Sequence, residues 1–318
     1  MKRILKIMTG KTIIAIDGLH LYDSGFRIRE GGSGLIIKKK NNVRIIGNLI
    51  AIIAFLAWVF WSNRAIQITT YKVKSPRISD NLSGFTIAHV SDLHNQKFGY
   101  GQRNLISKIA IVKPHIIAVT GDLVDSRSTD IDMAMIFIKE AAKVAPVYYV
   151  TGNHEARIED YDELKQRLEI AGAHIMDGQI EEIFHNDEII SLMGVADPSF
   201  TDISVYVGEG ETVANDIRSI SYDKDSYSIL LSHRPELFQV YVSAGLDLVL
   251  AGHAHGGQFR IPFIGGVIAP NQGYLPKYTS GIIKDGKTKM IVSRGMGSSI
   301  IPMRINNRPE LVVVRLSN

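Results

Sequence analysis

The sequence predicts an α/β domain of buried, largely parallel strands, preceded by one transmembrane helix. Three observations carry that prediction. From about residue 84 onward, short apolar runs are separated by helix-like segments, and the runs are continuous rather than alternating, as expected when both faces of a sheet are covered. Upstream, Val43 to Trp61 is almost wholly apolar. Acidic residues and histidines then gather where the downstream runs stop, which is where open α/β sheets bind ligands.

Size and composition narrow the function classes. The 318 residues accommodate one domain of about 200 to 250 residues plus an appendage. A net charge of +4 with scattered Lys and Arg gives no concentrated basic patch, so nucleic acid is not an expected partner. The absence of cysteine excludes a disulfide scaffold, a thiolate zinc site and a cysteine nucleophile.

The elements follow in chain order. Residues 1–42 hold a short apolar patch, Thr12 to Ile16, and the cluster "EGGSG", Glu30 to Gly34, compatible with a small hairpin or a patch on a membrane surface. Residues 43–61 form the transmembrane anchor: Ile45 to Trp61 meets the short limit for a crossing helix, and Trp58 and Trp61 stand where an aromatic belt belongs. Hydrophobicity on every face argues against an amphipathic core helix, and the late start without a small-residue cleavage site argues against a signal peptide. Lys38, Lys39, Lys40 and Arg44 before the span outweigh Arg64, Lys72 and Lys74 after it, favouring an N-in, C-out single-pass protein with an extracytoplasmic domain. Residues 62–83, with the turn-forming "SPRISDNLSG", read as a linker.

The domain spans residues 84–318. "FTIAHVSD" reads as a strand and "RNLISKIAIVKP" as a helix stopped by Pro114; "HIIAVTGD" is the next strand and "DIDMAMIFIKEAAKV" the next helix. "VYYVTGNHE" is a third strand, followed by a helix over "YDELKQRLEIAG" that Gly172 ends. "EIISLMGVAD", "YSILLSHRP" and "LDLVLAGHAH" continue the pattern in shorter segments, a glycine-rich loop region follows, and a hairpin around Asp285 and Gly286 precedes a last strand in "PELVVVRL".

The polar residues at the strand ends are Asp92 and His94 in "SDLH", Asp122 and Asp125 in "TGDLVD", Asn153, His154 and Glu155 in "TGNHE", His233 in "LLSHRP", and His253 and His255 in "AGHAH". Each alone reads more readily as a turn or a hydrogen-bonded surface residue. Extended backbone would point Asp92 and His94 the same way, and His253 and His255 likewise. Oxygen and imidazole donors suit Mn, Fe or Zn, and a shared carboxylate allows two ions about 3.5–4 Å apart.

As an ordered set, "DLH", "GDLVD", "GNHE", "SHRP" and "GHAHGGQ" resemble the motifs of the calcineurin-like metallophosphoesterases over nearly the whole domain. The anchor, "SRGMG" and "NRPE" resemble the membrane-associated bacterial branch, which includes relatives of UDP-diacylglucosamine pyrophosphatases. The resemblance implies a four-layer sandwich of two β-sheets flanked by helices. It implies two divalent ions (Mn, Zn or Fe): Asp92, His94 and His255 on one, Asn153, His233 and His253 on the other, and Asp122 bridging both. His154 is implied as the catalytic proton donor and Asp125 as a residue orienting a neighbour. The implied reaction is attack of a metal-bridging hydroxide on a phosphoester, a phosphodiester or pyrophosphate of a lipid-linked or envelope substrate. Rival readings are a phosphoprotein phosphatase and a noncatalytic membrane-tethered binding module, whose mark would be a lost ligand. Arg127, Arg304, Asn307, Arg308, Tyr274 and Lys277 are candidates for shaping specificity, and "IPFIGGVIAP" for an acyl groove, a membrane contact or an ordinary packed loop.

Overall fold

The computed structural model of the chain describes residues 7–9, 12–14, 39–201, 208–298 and 303–318. The cluster Glu30 to Gly34 lies outside the described residues. The chain divides into two compact units, Met1–Ile53 and Ala54–Asn318. In the first, β1 (Ile7–Thr9) pairs antiparallel with β2 (Thr12–Ile14), which is the small hairpin among the alternatives expected there. Helix α1 (Lys39–Ser62) begins in this unit, four residues ahead of the expected span. Its segment Arg44–Ser62 has a mean hydropathy of 2.2 and almost no buried residues, making α1 the one helix among the described residues long and apolar enough to cross a membrane.

The second unit runs, in order, β3 (Gln67–Lys74), β4 (Thr86–Val90), α2 (Arg103–Val112), β5 (Ile116–Thr120), α3 (Ile131–Ala142), β6 (Val147–Val150), α4 (Tyr161–Ile170) and β7 (Ala173–Ile175). It continues through β8 (Ile180–His185), β9 (Glu188–Gly194), α5 (Glu209–Ser219), β10 (Tyr227–Leu231), α6 (Phe238–Ser243) and β11 (Leu248–Ala251). Two short ribbons follow, β12 (Arg260–Ile261) with β13 (Gly265–Gly266) and β14 (Ile268–Ala269) with β15 (Gly273–Tyr274), before β16 (Gly281–Asp285), β17 (Thr288–Val292) and β18 (Glu310–Ser317) close the unit.

The first sheet has the order β3-β18-β4-β5-β6-β7 and the second β16-β17-β11-β10-β9-β8. Strands β4 to β7 run parallel, as do β9, β10, β11 and β17, so each sheet has a parallel centre. Successive side chains of these strands point to opposite faces. Ile87, Val150, Leu231, Leu250 and Val312 fill the space between the sheets; Val90, Val119 and Tyr149 pack outward under α2, α3 and α4; Leu230 and Val249 pack on the far side with Val213 of α5 and Tyr241 of α6. The result is helices, sheet, sheet, helices, the expected four layers. The hairpin expected around Asp285 and Gly286 joins β16 to β17.

The segment expected as a linker contributes more than a tether. Gln67–Lys74 is an edge strand of the first sheet, paired in parallel with β18 along its full length. Its alternating half-buried pattern reflects a strand with one face on the sheet and one in solvent.

Candidate metal centre

Five parallel strands end at one place. The loops after β4, β5 and β6 bring Asp92, His94, Asp122, Asn153 and His154 from the first sheet, and those after β10 and β11 bring His233, His253 and His255 from the second. All eight residues are buried. The loops are knitted together: Asp92 N–H donates to Gly121 O at 3.0 Å, His94 N–H to Asp122 O at 3.0 Å, and His253 N–H to both Asp92 oxygens at 3.1 Å.

The expectation of extended backbone at Asp92 and His94 and at His253 and His255 is corrected. Asp92, His94, Asp122, His253 and His255 all have left-handed φ, between 45° and 65°. Such residues cost about 1–3 kcal/mol each and persist where surroundings over-determine them. Convergence therefore comes from a left-handed kink at each strand end rather than from strand alternation. Two glycines permit the close approach: a Cβ on Gly252 would stand 1.8 Å from Ser91 Oγ, and one on Gly152 would stand 2.3 Å from Asp122 Oδ1.

Two groups of ligand-type atoms result, each within 4.8 Å: Asp92, His94, Asp122 and His255, and Asp122, His233 and His253. Asp122 belongs to both. In the first group His94 Nε2 and His255 Nε2 face each other at 3.2 Å, with Asp122 Oδ2 3.5 Å from the former and Asp92 Oδ1 3.4 Å from the latter. In the second, His253 Nδ1 is 3.1 Å from His233 Nε2, which is 3.3 Å from Asp122 Oδ2. His233 Nδ1 donates to Thr120 O at 2.8 Å, which directs Nε2 toward the cluster. Asn153 Oδ1 is buried with no hydrogen-bond partner among the described residues.

The electrostatics fit a cation. Burial pushes His94 down to about 4 and holds His253 and His255 well below the usual imidazole range, so all three present neutral nitrogens as metal ligation requires. At His233 burial opposes charge, but the Asp122 carboxylate outweighs it and raises the imidazole to about 10. Burial, opposed by His233 and reinforced by the Asp122 carboxylate, lifts Asp92 to about 6. Neutral imidazoles at His94, His253 and His255 beside two carboxylates form a donor set that suits divalent ions, which His233 joins on releasing its proton.

His154 lies beside this cluster, its ring 4.5 Å from that of His94. Its backbone N–H donates to Asp122 Oδ1 at 2.9 Å, and its Nδ1 accepts from Ser126 N–H at 3.0 Å. In the neutral ring the proton is then on Nε2. Asp125 is 3.7 Å from His154 Nδ1, but its main engagement is a bidentate grip on Arg127, at 3.0 and 2.6 Å.

Glu155, quoted in "TGNHE" but given no role there, is buried and accepts from Asp122 N–H and Gly152 N–H at 2.8 Å each, and from Val124 N–H at 3.3 Å. It locks the β5 and β6 loops together. Of the specificity candidates, Arg304 is buried and donates to Arg294 O and Gly297 O, with Nη2 3.4 Å from His255 Nδ1; Asn307 donates to His255 O and Gln258 O. Both brace the His255 loop. Arg308 donates to Ala65 O and covers the Trp61 ring at 4.7 Å, whereas Tyr274 and Lys277 are exposed.

Comparison with known proteins decides the family. The calcineurin-like phosphoesterase pattern matches residues 85–257, more than half of the chain and including every residue of the cluster. The chain belongs to the calcineurin-like phosphoesterase family. It is 27% identical over 267 residues to the uncharacterized metallophosphoesterase YkuE of Bacillus subtilis, covering 80% of this chain and 86% of that protein. It is 27% identical over 249 residues to the phosphodiesterase YaeI of Escherichia coli, covering 74% of this chain and 84% of that protein. It is also 25% identical over 256 residues to a transmembrane protein with metallophosphoesterase domain of Bos taurus, covering 77% of this chain and 55% of that protein. As a calcineurin-like phosphoesterase the protein is a metal-dependent hydrolase, and its clustered carboxylates and imidazoles are the donors such chemistry needs.

Proposed function

We propose that this calcineurin-like phosphoesterase is a membrane-anchored enzyme that hydrolyses a phosphodiester or pyrophosphate of a lipid-linked or envelope substrate. Asp92, His94 and His255 hold one divalent ion, Asn153, His233 and His253 a second, and Asp122 both. The observation that carries the reading is the membership of Asp122 in both ligand groups. Bound there, two divalent ions (Mn, Zn or Fe) supply Lewis acidity and an activated water.

The chain's own groups do the rest. Thr120 O and the packing of two sheets hold His233 in its ligating tautomer. Ser126 holds the His154 ring so that Nε2–H faces away from the amide, and this is the proton His154 would give to the oxygen of the leaving group. Asp125, through Arg127 and its approach to His154, positions that pair. Residues 43–61 anchor the protein, residues 1–42 precede the anchor, residues 62–83 join it to the domain, and 84–318 carry the chemistry. The hydropathy of α1 and the similarity to a phosphodiesterase and to a transmembrane protein with a metallophosphoesterase domain support this reading.

Activity of the metal-loaded full chain is to be profiled against phosphomonoesters, phosphodiesters, nucleotide-sugar pyrophosphates and phosphopeptides. Preference for diesters or pyrophosphates is expected, and preference for phosphopeptides would overturn the substrate class. The charge difference across the span favours the domain on the outer face of the cytoplasmic membrane. Protease added to intact spheroplasts is then expected to digest the domain; protection until the membrane is opened would reverse the orientation.

A further inference from the structure

The segment "RIPFIGG" does not pack as an ordinary loop. It is the ribbon β12–β13, and its tip exposes Ile261, Pro262, Phe263 and Ile264. Phe263 is fully exposed, and the adjoining ribbon adds exposed Tyr274 and Leu275, joined to it by Leu275 N–H donating to Val267 O at 2.9 Å. A contiguous apolar tip of this kind marks an interaction surface.

Backbone hydrogen bonds place that ribbon beside the end of the apolar helix. Residues 303–306 run between the two. On one side Arg304 N–H donates to Asn63 Oδ1 at 2.7 Å and Arg304 O accepts from Asn63 Nδ2 at 2.9 Å. On the other, Ile305 O accepts from Arg260 N–H at 3.1 Å. Asn63 and the base of the ribbon are thus hydrogen-bonded to adjacent residues of one short segment, Arg304 and Ile305. Asn63 directly follows Trp61 and Ser62, where a crossing helix would leave the hydrocarbon. The tip extends about 10 Å from its base, enough to reach past a headgroup layer boundary.

Charge points to the same occupant. Between Asp247 and Glu310 the chain carries eight Lys or Arg residues and one acidic residue, Asp285. No Asp or Glu lies within either ribbon or between them. Arg64, over the Phe60 ring at 4.0 Å, and Arg308, over the Trp61 ring, add cations at the helix end. Lys287 and Arg294 pair with Asp247 and Glu310 and Arg304 is buried, which leaves Arg64, Arg308 and the exposed Lys277 as cations beside the apolar tip and the helix end, a combination that fits an anionic bilayer surface.

We propose that the β12–β13 hairpin is a second membrane contact, its tip Pro262–Ile264 seated at the headgroup–acyl boundary of the leaflet from which α1 emerges. This rests on the reading of α1 as a membrane anchor. The hairpin also touches the centre: Val267 N–H donates to Gly257 O at 3.0 Å, Arg260 Nη1 to Gly256 O at 2.8 Å, and a Cβ on Gly257 would come within 2.3 Å of Gly266 Cα. Insertion therefore seats the His255 loop at the lipid surface, where a phosphoester with an apolar tail reaches the cluster without leaving the bilayer.

The absence of cysteine makes the test direct. The full chain is reconstituted into phosphatidylethanolamine–phosphatidylglycerol liposomes with a nitroxide label at Phe263→Cys, at Leu56→Cys in α1, or at Ile170→Cys at the end of α4, which flanks the opposite edge of the first sheet from β3. Collision with oxygen and with an aqueous nickel chelate reports depth. Labels at 56 and 263 are expected to be several-fold less accessible to nickel and more accessible to oxygen than the label at 170. A lipid-buried label at 56 with an aqueous label at 263 would overturn the hairpin contact and leave the anchor standing. An aqueous label at 56 would overturn both. Shielding of 263 from both reagents, or spin broadening between copies, would assign the tip to a protein surface and also overturn the proposal.

Discussion

The two sheets contribute unequal chemistry to one centre. The first brings both carboxylates, Asn153, His94 and His154, while the second brings only imidazoles, His233, His253 and His255. Ties across the sandwich join the two sets, among them His233 to Thr120 O, His253 N–H to Asp92, and Gly252 against Ser91. Neither sheet holds a complete donor set for two ions. The apolar layer between them, including Ile87, Val150, Leu231 and Leu250, is thus a functional element, because its packing sets the distance between acid and imidazole.

That division yields a graded set of expectations. The largest is on the first-sheet side. His154→Ala is expected to lower turnover about 10² to 10⁴-fold, the range for a positioned proton-transfer group, with metal content near that of the parent because the His154 ring lies in neither ligand group. Loss of both ions in this variant would mean that His154 is a ligand. In the same assay Asp125→Asn is expected to cost about tenfold, roughly 1.4 kcal/mol, since the Ser126 amide still holds the ring. An effect as large as that of His154→Ala would give Asp125 a direct part.

The smallest expected effect separates stability from chemistry. Deleting residues 1–79 removes β3 and leaves the β18 edge unpaired, while every proposed site residue remains. Melting is expected to fall by about 5–10 °C relative to a chain starting near residue 64, with turnover per folded molecule unchanged. Equal melting temperatures would return residues 67–74 to the role of a simple tether.

Much of this was legible in the sequence, and the reasons are local. Strands β4, β5, β6, β10 and β11 announce themselves as continuous apolar runs because both faces of each sheet are covered. The cluster residues are legible only as a set: each alone reads as a turn residue, but all five of these apolar runs end in Asp, Asn or His. What was not legible depends on distant partners. "QITTYKVK" becomes a sheet strand only through Glu310–Ser317, far along the chain. Arg304 looks like a surface phosphate ligand until Gly297 O and Arg294 O enclose it, and Glu155 acquires its role from amides in two loops. The left-handed turns at Asp92, His94, Asp122, His253 and His255 left one trace, residue types that tolerate that conformation better than most.

The central claim is that Asp122 serves both halves of a dinuclear centre. Elemental mass spectrometry of the purified full chain after incubation with Mn or Zn measures it directly, on the parent and on Asp122→Asn side by side. The shared position of Asp122 predicts close to two ions per chain in the parent and a fall to about one or fewer in the variant. A limit of one ion in the parent, unchanged in Asp122→Asn, would contradict it.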